Sequence, residues 1–166
     1  MITLASDYSV ICKLGGYVNS NPEIISFYPS LDNSVKSEIL SKCFPVGAKS
    51  GDFVVEKYRK YSVVSYIFRV NQTANRDDLF SLSVLLNKKE KTEIYKPVLQ
   101  SLIVILEQNG LLNEHVLTKN QRTIFEGINQ EENITIGNIL IDLSVVFKEI
   151  KSKILKPEIK VKGSFL

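Results

Sequence analysis

The sequence is poor in the residues that build catalytic and metal centres. It has 166 residues, with no Trp, one Met, one His and two Cys. The single His, His115, follows Leu111-Leu112 in a polar stretch, where a surface position is expected. One imidazole cannot form a multi-histidine metal site, and this position argues against a Ser-His-Asp triad.

The cysteine content gives no disulfide framework. Cys12 and Cys43 lack CxxC spacing, and both have apolar neighbours, which predicts buried free thiols. The first residues have neither a basic segment nor a long apolar segment of the secretory type. We therefore expect a cytoplasmic location, with peripheral contact to membranes left open.

Long apolar runs are also missing. The longest, residues 139–147, is interrupted by Asp142 and Ser144 and is far shorter than the ~20 residues that span a bilayer. With 44% hydrophobic and 23% charged residues, the composition is that of a globular domain. The sequence predicts one domain over residues 1–155 and a C-terminal tail over residues 156–166.

Phosphate-binding and acid-base motifs are not found either. Gly15-Gly16 and the pair Gly47 and Gly51 do not match the glycine patterns that hold phosphates. The adjacent carboxylates Asp77-Asp78 have no candidate nucleophile beside them. We therefore predict a protein that is not an enzyme, with no catalytic residues, no cofactor and no metal.

Hydrophobic periodicity places strands first and helices later. Alternation predicts strands over residues 8–14, 23–28, 52–58, 61–71 and 80–86. The two residues Arg59-Lys60 between the third and fourth strands are compatible with a hairpin, although they lack the favoured Asn-Gly sequence. A helix capped by Asp32 or Asn33 separates the second strand from the third. Later helices are predicted over 92–109, after a capping box formed by Thr118 and Gln121, and from Gly137 to the residue before Lys156. The prediction is an α+β fold with a five-stranded antiparallel sheet, in the chain order β-β-α-β-β-β-α-α with an extra C-terminal helix.

The strand over residues 61–71 has two unequal faces. One face is apolar, whereas the other mixes apolar and polar residues; the mixed face consists of Val63, Ser65, Ile67 and Arg69. We predict these four residues as a partner-binding surface, next to an edge strand whose free amides can pair with another protein. The alternative is that the first helix of the chain covers this face.

The C-terminal region is rich in lysine. The residues concerned are Lys148, Lys151, Lys153, Lys156, Lys160 and Lys162. They predict a second candidate function, binding of nucleic acid or an anionic membrane surface. The alternative is a solvated helix face, whose terminal lysines complement the helix dipole.

Short segments between residues 8 and 127 carry a family resemblance. Residues 23–31 (EIISFYPSL) contain a strand followed by a Tyr-Pro turn, and residues 43–47 (CFPVG) contain a Phe-Pro-x-Gly sequence. Residues 61–70 and 79–86 match a central hairpin, and residues 95–99 (YKPVL) match the start of a long helix. Together with the element order, these segments resemble the longin-like (profilin-like) domains at the N-termini of DENN-type and nitrogen-permease-regulator-like proteins.

The resemblance implies a function in protein interaction. Longin-like domains act in membrane trafficking and in the regulation of small GTPases, and they pair with other longin or roadblock domains. The expected partner is therefore a small GTPase, a longin or roadblock domain, or a second copy in a homodimer. DENN-type proteins continue into a much larger exchange module that this sequence does not contain, so the resemblance does not predict nucleotide exchange by the chain alone.

Overall fold

A five-stranded antiparallel sheet forms the centre of the fold, in the spatial order β2-β1-β5-β4-β3. In the computed structural model, residues 6–16, 20–73 and 76–154 are described. The strands of this sheet are β1 (Ser6–Leu14), β2 (Glu23–Tyr28), β3 (Phe53–Tyr58), β4 (Tyr61–Thr73) and β5 (Arg76–Asn87). The helices are α1 (Asn33–Cys43), α2 (Thr92–Gln108), α3 (Glu114–Lys119), α4 (Gln121–Gln130) and α5 (Leu143–Ile154). A separate two-stranded sheet pairs β6 (Ile134–Ile136) with β7 (Ile139–Ile141).

The mixed α+β class and the antiparallel sheet of five strands are confirmed. The predicted order of elements is wrong in the second half of the chain. Three helices follow β5, and β6 and β7 then precede the last helix. Gly137 has a φ of 62° and lies in the turn between β6 and β7, so it does not begin a helix.

The predicted capping box is also wrong. Thr118 lies inside α3, where its hydroxyl donates to the carbonyl of Glu114 at 3.0 Å. α4 instead begins after Asn120, with no side-chain hydrogen bond to cap it. The prediction for α1 is confirmed, because the carboxylate of Asp32 accepts from the amide of Ser34 at 3.1 Å.

Both faces of the sheet are buried over its central strands, β1, β5 and β4. The apolar faces of β4 and β5 pack against α2, and this cluster extends to α4 and α5. Its β5 members are Phe80, Leu82, Val84 and Leu86. On the opposite face, Val10 and Cys12 of β1 pack with Ile39 and Cys43 of α1. The predicted alternation in β5 is thus confirmed, and α1 encloses the second, smaller cluster.

A buried glutamine ties α4 to the sheet. Gln121 is 2% exposed. Its Nε2 donates to the carbonyl of Ser9 in β1 at 2.9 Å, and its Oε1 accepts from the hydroxyl of Ser26 in β2. Asn129, two turns further along α4, accepts from the amide of Ser6 at 2.7 Å. Because buried polar groups are costly when unpaired, these bonds fix the position of α4 over β1 and β2.

The hydroxyl of Tyr61 links the start of β4 to the start of β1. Tyr61 donates to the carboxylate of Asp7 at 2.7 Å, and its ring meets the edge of the Tyr8 ring at a centroid distance of 6.1 Å. Burial, followed by the hydrogen bond to Asp7, raises the pKa of Tyr61 above its usual value of 10.0. Burial and the Glu90 carboxylate raise the pKa of Tyr95 in the same way.

The close approach of α4 to β6 and α5 requires glycine at position 127. A Cβ there would come within 2.4 Å of the Ile134 side chain and 3.1 Å of the Leu143 side chain. Gly127→Ala should therefore destabilise the fold by about 1–2 kcal/mol, because overpacking outweighs the better helix propensity of Ala. Urea unfolding followed by circular dichroism measures this. Gln130→Ala, at an exposed position of the same helix, should change the stability by less than about 0.5 kcal/mol, and an equal effect of both variants would contradict the close-packing argument.

The raised pKa of Tyr61 predicts a loss of stability in alkali. Above pH 10 the unfolded chain releases the phenol proton while the folded chain keeps it, so the free energy of unfolding falls as the pH rises. Tyr61→Phe removes this proton, and its stability should fall less steeply between about pH 9.5 and pH 11 than that of the unmodified chain. Urea midpoints measured across this range test the difference. Parallel curves for the two proteins would show that Tyr61 is not responsible.

Candidate interaction surface

His115 and Asp78, two of the ionisable residues considered in the sequence, lie in different environments. His115 lies on α3, not in a connection, and its side chain is exposed. Asp78 is buried, where its carboxylate accepts from the amide of Gly16 at 2.7 Å and lies 3.8 Å from Lys13. Within residues 6–16, 20–73 and 76–154, no group of three or more His, Cys, Asp or Glu side chains is placed to hold a metal ion.

The four residues predicted as a partner surface do not share one. Val63, Ser65 and Ile67 are completely buried, and Val63 and Ile67 pack in the cluster beneath α1. The hydroxyl of Ser65 shares a hydrogen bond of 2.6 Å with that of Ser83. Arg69 alone is exposed, 3.8 Å from Asp77. The alternative interpretation, in which α1 covers this face, is the arrangement observed.

The lysine-rich region is only partly described. Lys148 and Lys153 are exposed on α5. The ammonium group of Lys151 lies 2.6 and 2.8 Å from the two carboxylate oxygens of Glu131, so its charge is paired. Lys156, Lys160 and Lys162 lie outside the described residues. In this part of the chain, no helix has the length and hydrophobicity needed to cross a membrane.

The outer edge of β3 leaves backbone groups of the sheet unpaired within the described part of the chain. β3 is the last strand in the sheet order, and within the described part of the chain it pairs only with β4. Tyr58 opposes Tyr61 across a two-residue turn, as predicted from the spacing of these strands. In an antiparallel pair, the residues that flank such a turn exchange both backbone hydrogen bonds, and every second residue does the same.

This register decides which backbone groups of β3 face outward. Val54, Glu56 and Tyr58 direct their amides and carbonyls to β4, so those of Phe53, Val55 and Lys57 point away from the sheet. The amide of Ile67 donates to the carbonyl of Asp52 at 2.9 Å, which continues the same alternation. Three residues thus offer donors and acceptors at the spacing that a further strand requires.

The outward-facing residues of β3 also expose apolar side chains. Phe53 is 37% exposed and Val55 is 40% exposed. Both oppose residues of the α2-facing side of β4, where the Phe53 ring lies 5.1 Å from the Tyr66 ring. Tyr66 in turn stacks at 6.0 Å on Phe68, so the exposed ring at the edge continues a row of buried rings. We call Phe53, Val55 and Lys57 the β3 edge surface.

Charged side chains lie beside the β3 edge surface but do not cover Phe53 or Val55. Lys57 is exposed, and Glu56, on the opposite face, lies 3.8 Å from Lys42 of α1. At the end of the strand, the Tyr58 hydroxyl donates to Glu38 at 3.2 Å. Burial raises the pKa of Tyr58, so the phenol is neutral at physiological pH. A single lysine is the kind of edge charge that limits indiscriminate strand pairing while still permitting a matched partner.

Sequence reasoning anticipated an edge strand as a route to a partner but did not identify β3. The sequence gives little indication of this edge, because its pattern is that of one face of an ordinary strand, formed by Phe53, Val55 and Lys57. Their exposure depends on the spatial order of the strands, which puts β3 outside β4. The period-2 pattern contains no information about that order.

The different burial of the predicted partner residues and of the β3 edge surface can be tested by measuring stability. Ile67→Ala should destabilise the fold by about 2–4 kcal/mol, because it leaves a cavity beneath α1. Val55→Ala removes side-chain atoms that are already partly in water and should cost less than about 1 kcal/mol. Chemical denaturation of both variants makes the comparison. A small cost for Ile67→Ala would mean that α1 does not pack on this face in solution.

No protein-family model and no curated protein sequence matches this chain.

Proposed function

We propose that this chain is a longin-like protein-interaction domain that is not an enzyme and that acts as a subunit of a complex in small-GTPase regulation or membrane trafficking. The observation that carries the proposal is the β3 edge surface, with its outward backbone groups and the exposed side chains of Phe53 and Val55. Unpaired edges of this kind are what β-strand addition uses, with backbone bonds for affinity and side chains for specificity.

The arrangement of layers supports the longin-like part of the proposal. Two strands, one helix and three strands come first in the chain, and α1 lies on the face of the sheet opposite α2. This order is the one on which the family resemblance was based. The proposed partner is a small GTPase of the Rab, Arf or Rag type, or another longin or roadblock domain.

Purified chain can be tested for self-association and for binding to such partners. Light scattering after size-exclusion chromatography measures the mass, and titration with purified Rab, Arf and Rag GTPases in GDP and GTP forms measures affinity. We expect at least one of these GTPases, or a longin or roadblock domain, to bind. A strictly monomeric chain that binds none of them would overturn the proposal.

Paired variants locate the binding surface. Val55→Lys should weaken binding about tenfold, because it puts a second charge beside Lys57 at the edge where the partner packs. Val104→Lys is a matched control on α2, where Val104 is 37% exposed against 40% for Val55. It should leave binding unchanged.

A proline substitution separates backbone pairing from side-chain contact. Because the amide of Val55 points away from β4, Val55→Pro removes no hydrogen bond within the sheet but blocks an added strand. We expect a loss of binding at least as large as that caused by Val55→Lys. Normal binding by Val55→Pro would show that no strand is added at β3.

A further inference from the structure

A cleft of about 520 Å³ lies between α1 and the turn that joins β3 to β4. It is on the α1 side of the sheet and is separate from the β3 edge surface, none of whose residues lines it. Its volume falls within the range of clefts that take small molecules.

The inner part of the cleft is apolar and aromatic. Ile39 and Leu85, each 1% exposed, form its floor. Tyr58 and Tyr61 line its sides, and their hydroxyls are directed to Glu38 and Asp7. Since these hydroxyl groups already donate to carboxylates, the rings are held in place and offer the cleft mainly apolar and π surface.

The rim of the cleft carries two cations on an unfavourable turn. Arg59 has a φ of 55°, in the left-handed region where Gly or Asn is favoured, and it is followed by Lys60. Both side chains turn back over aromatic rings: the Arg59 guanidinium is 5.1 Å from the Tyr58 centroid, and the Lys60 ammonium is 5.4 Å from the Tyr61 centroid. Residues held in uncommon backbone conformations of this kind cluster at functional sites, including ligand-binding sites.

The charges that line the cleft favour an anion. The charged side chains that line the cleft are Arg59, Lys60 and Asp32, and the Asp32 carboxylate accepts from the amide of Ser34 to cap α1. Glu38 lies 3.8 Å from Arg59, but this pair is more than half exposed on both sides, at 62% and 55%. Such a pair is weak in water, so a ligand can compete for the guanidinium group.

We infer that this cleft binds a small aromatic anion. The planar body of the ligand would lie on the apolar floor between the tyrosine rings, and its negative group would lie at the rim between Arg59 and Lys60. Arginine suits this role because its planar guanidinium can donate two parallel hydrogen bonds to a carboxylate.

A matched pair of probes tests the inference. The full chain is titrated with 2-naphthoate and, separately, with the uncharged 2-naphthamide, and binding is followed by ¹H–¹⁵N NMR spectra. For 2-naphthoate we expect saturable shifts confined to the cleft, with a Kd of about 1 mM or tighter for a ligand of this size. The neutral probe should bind about fivefold more weakly, since it lacks the charge that the rim recognises.

Variants identify the cations responsible. Arg59→Gln combined with Lys60→Gln should abolish the preference for 2-naphthoate over 2-naphthamide. Lys88→Gln combined with Lys89→Gln removes two exposed lysines from the turn after β5 and should leave the preference intact. All four substituted residues are exposed, so the spectra of the variants should keep the pattern of the folded chain.

Each adverse outcome is decisive. If 2-naphthoate produces no saturable shifts, or if its shifts map away from the cleft, the chain has no such site. Equal affinity for the two probes would refute recognition of the charge. An equal loss in the two double variants would show that the anion responds only to the net charge of the chain.

Discussion

The pairing of β5 with β1 on one side and β4 on the other is the interaction on which the rest of the structure depends. β5 is buried along almost its whole length, with Phe80, Leu82, Val84 and Leu86 on one face. Ser81, Ser83 and Leu85 lie on the other face and are also buried. A strand buried on both faces requires helices on both faces, which is why α1 and α2 lie on opposite sides of the sheet.

This constraint also decides where recognition can occur. Once both faces are covered, the sheet offers unpaired backbone groups only along its outer strands. α4 packs on β2 and is tied to it through Gln121, whereas β3 keeps Phe53 and Val55 partly in water. The two edges of the sheet therefore differ in their side chains: β2 is tied to α4 by a buried polar side chain, whereas β3 carries two partly exposed apolar residues.

The first half of the fold could be predicted because its signals are local. Ten-residue alternation defined β4, and Asp32 at the start of an apolar helical stripe defined α1. Two residues, Arg59 and Lys60, separated alternating runs and predicted the β3–β4 hairpin. In α1 and β4 the local sequence favours the observed backbone, whereas at the β3–β4 turn only the spacing does, because Arg59 adopts a φ of 55° that favours Gly or Asn.

The second half shows where local signals compete. Residues 134–141 contain a Gly-Asn pair between two short β-branched runs, a hairpin signal that the helical spacing of Ile139, Leu143 and Val146 obscured. The structure resolves the competition in favour of β6 and β7. Asp142 then provides the helix start, because its carbonyl accepts from the amide of Val146 at 3.2 Å. The capping-box prediction was wrong for a related reason. A Gln three residues after Thr118 suits a capping box, but the Gln121 side chain forms hydrogen bonds with β1 and β2.

The candidate surfaces were harder to predict than the fold because each depends on distant segments. Val63 and Ile67 looked available in the sequence, since a mixed apolar and polar face is typical of a half-exposed strand. Two buried serines, Ser65 and Ser83, explain the discrepancy: their hydroxyls pair with each other between β4 and β5, so both polar groups are satisfied beneath α1. A polar side chain on a strand is therefore compatible with burial where another element supplies its hydrogen-bond partner. The same rule applies to the cleft, where the rings of Tyr58 and Tyr61 are buried and their hydroxyls donate hydrogen bonds to Glu38 and Asp7 from other elements.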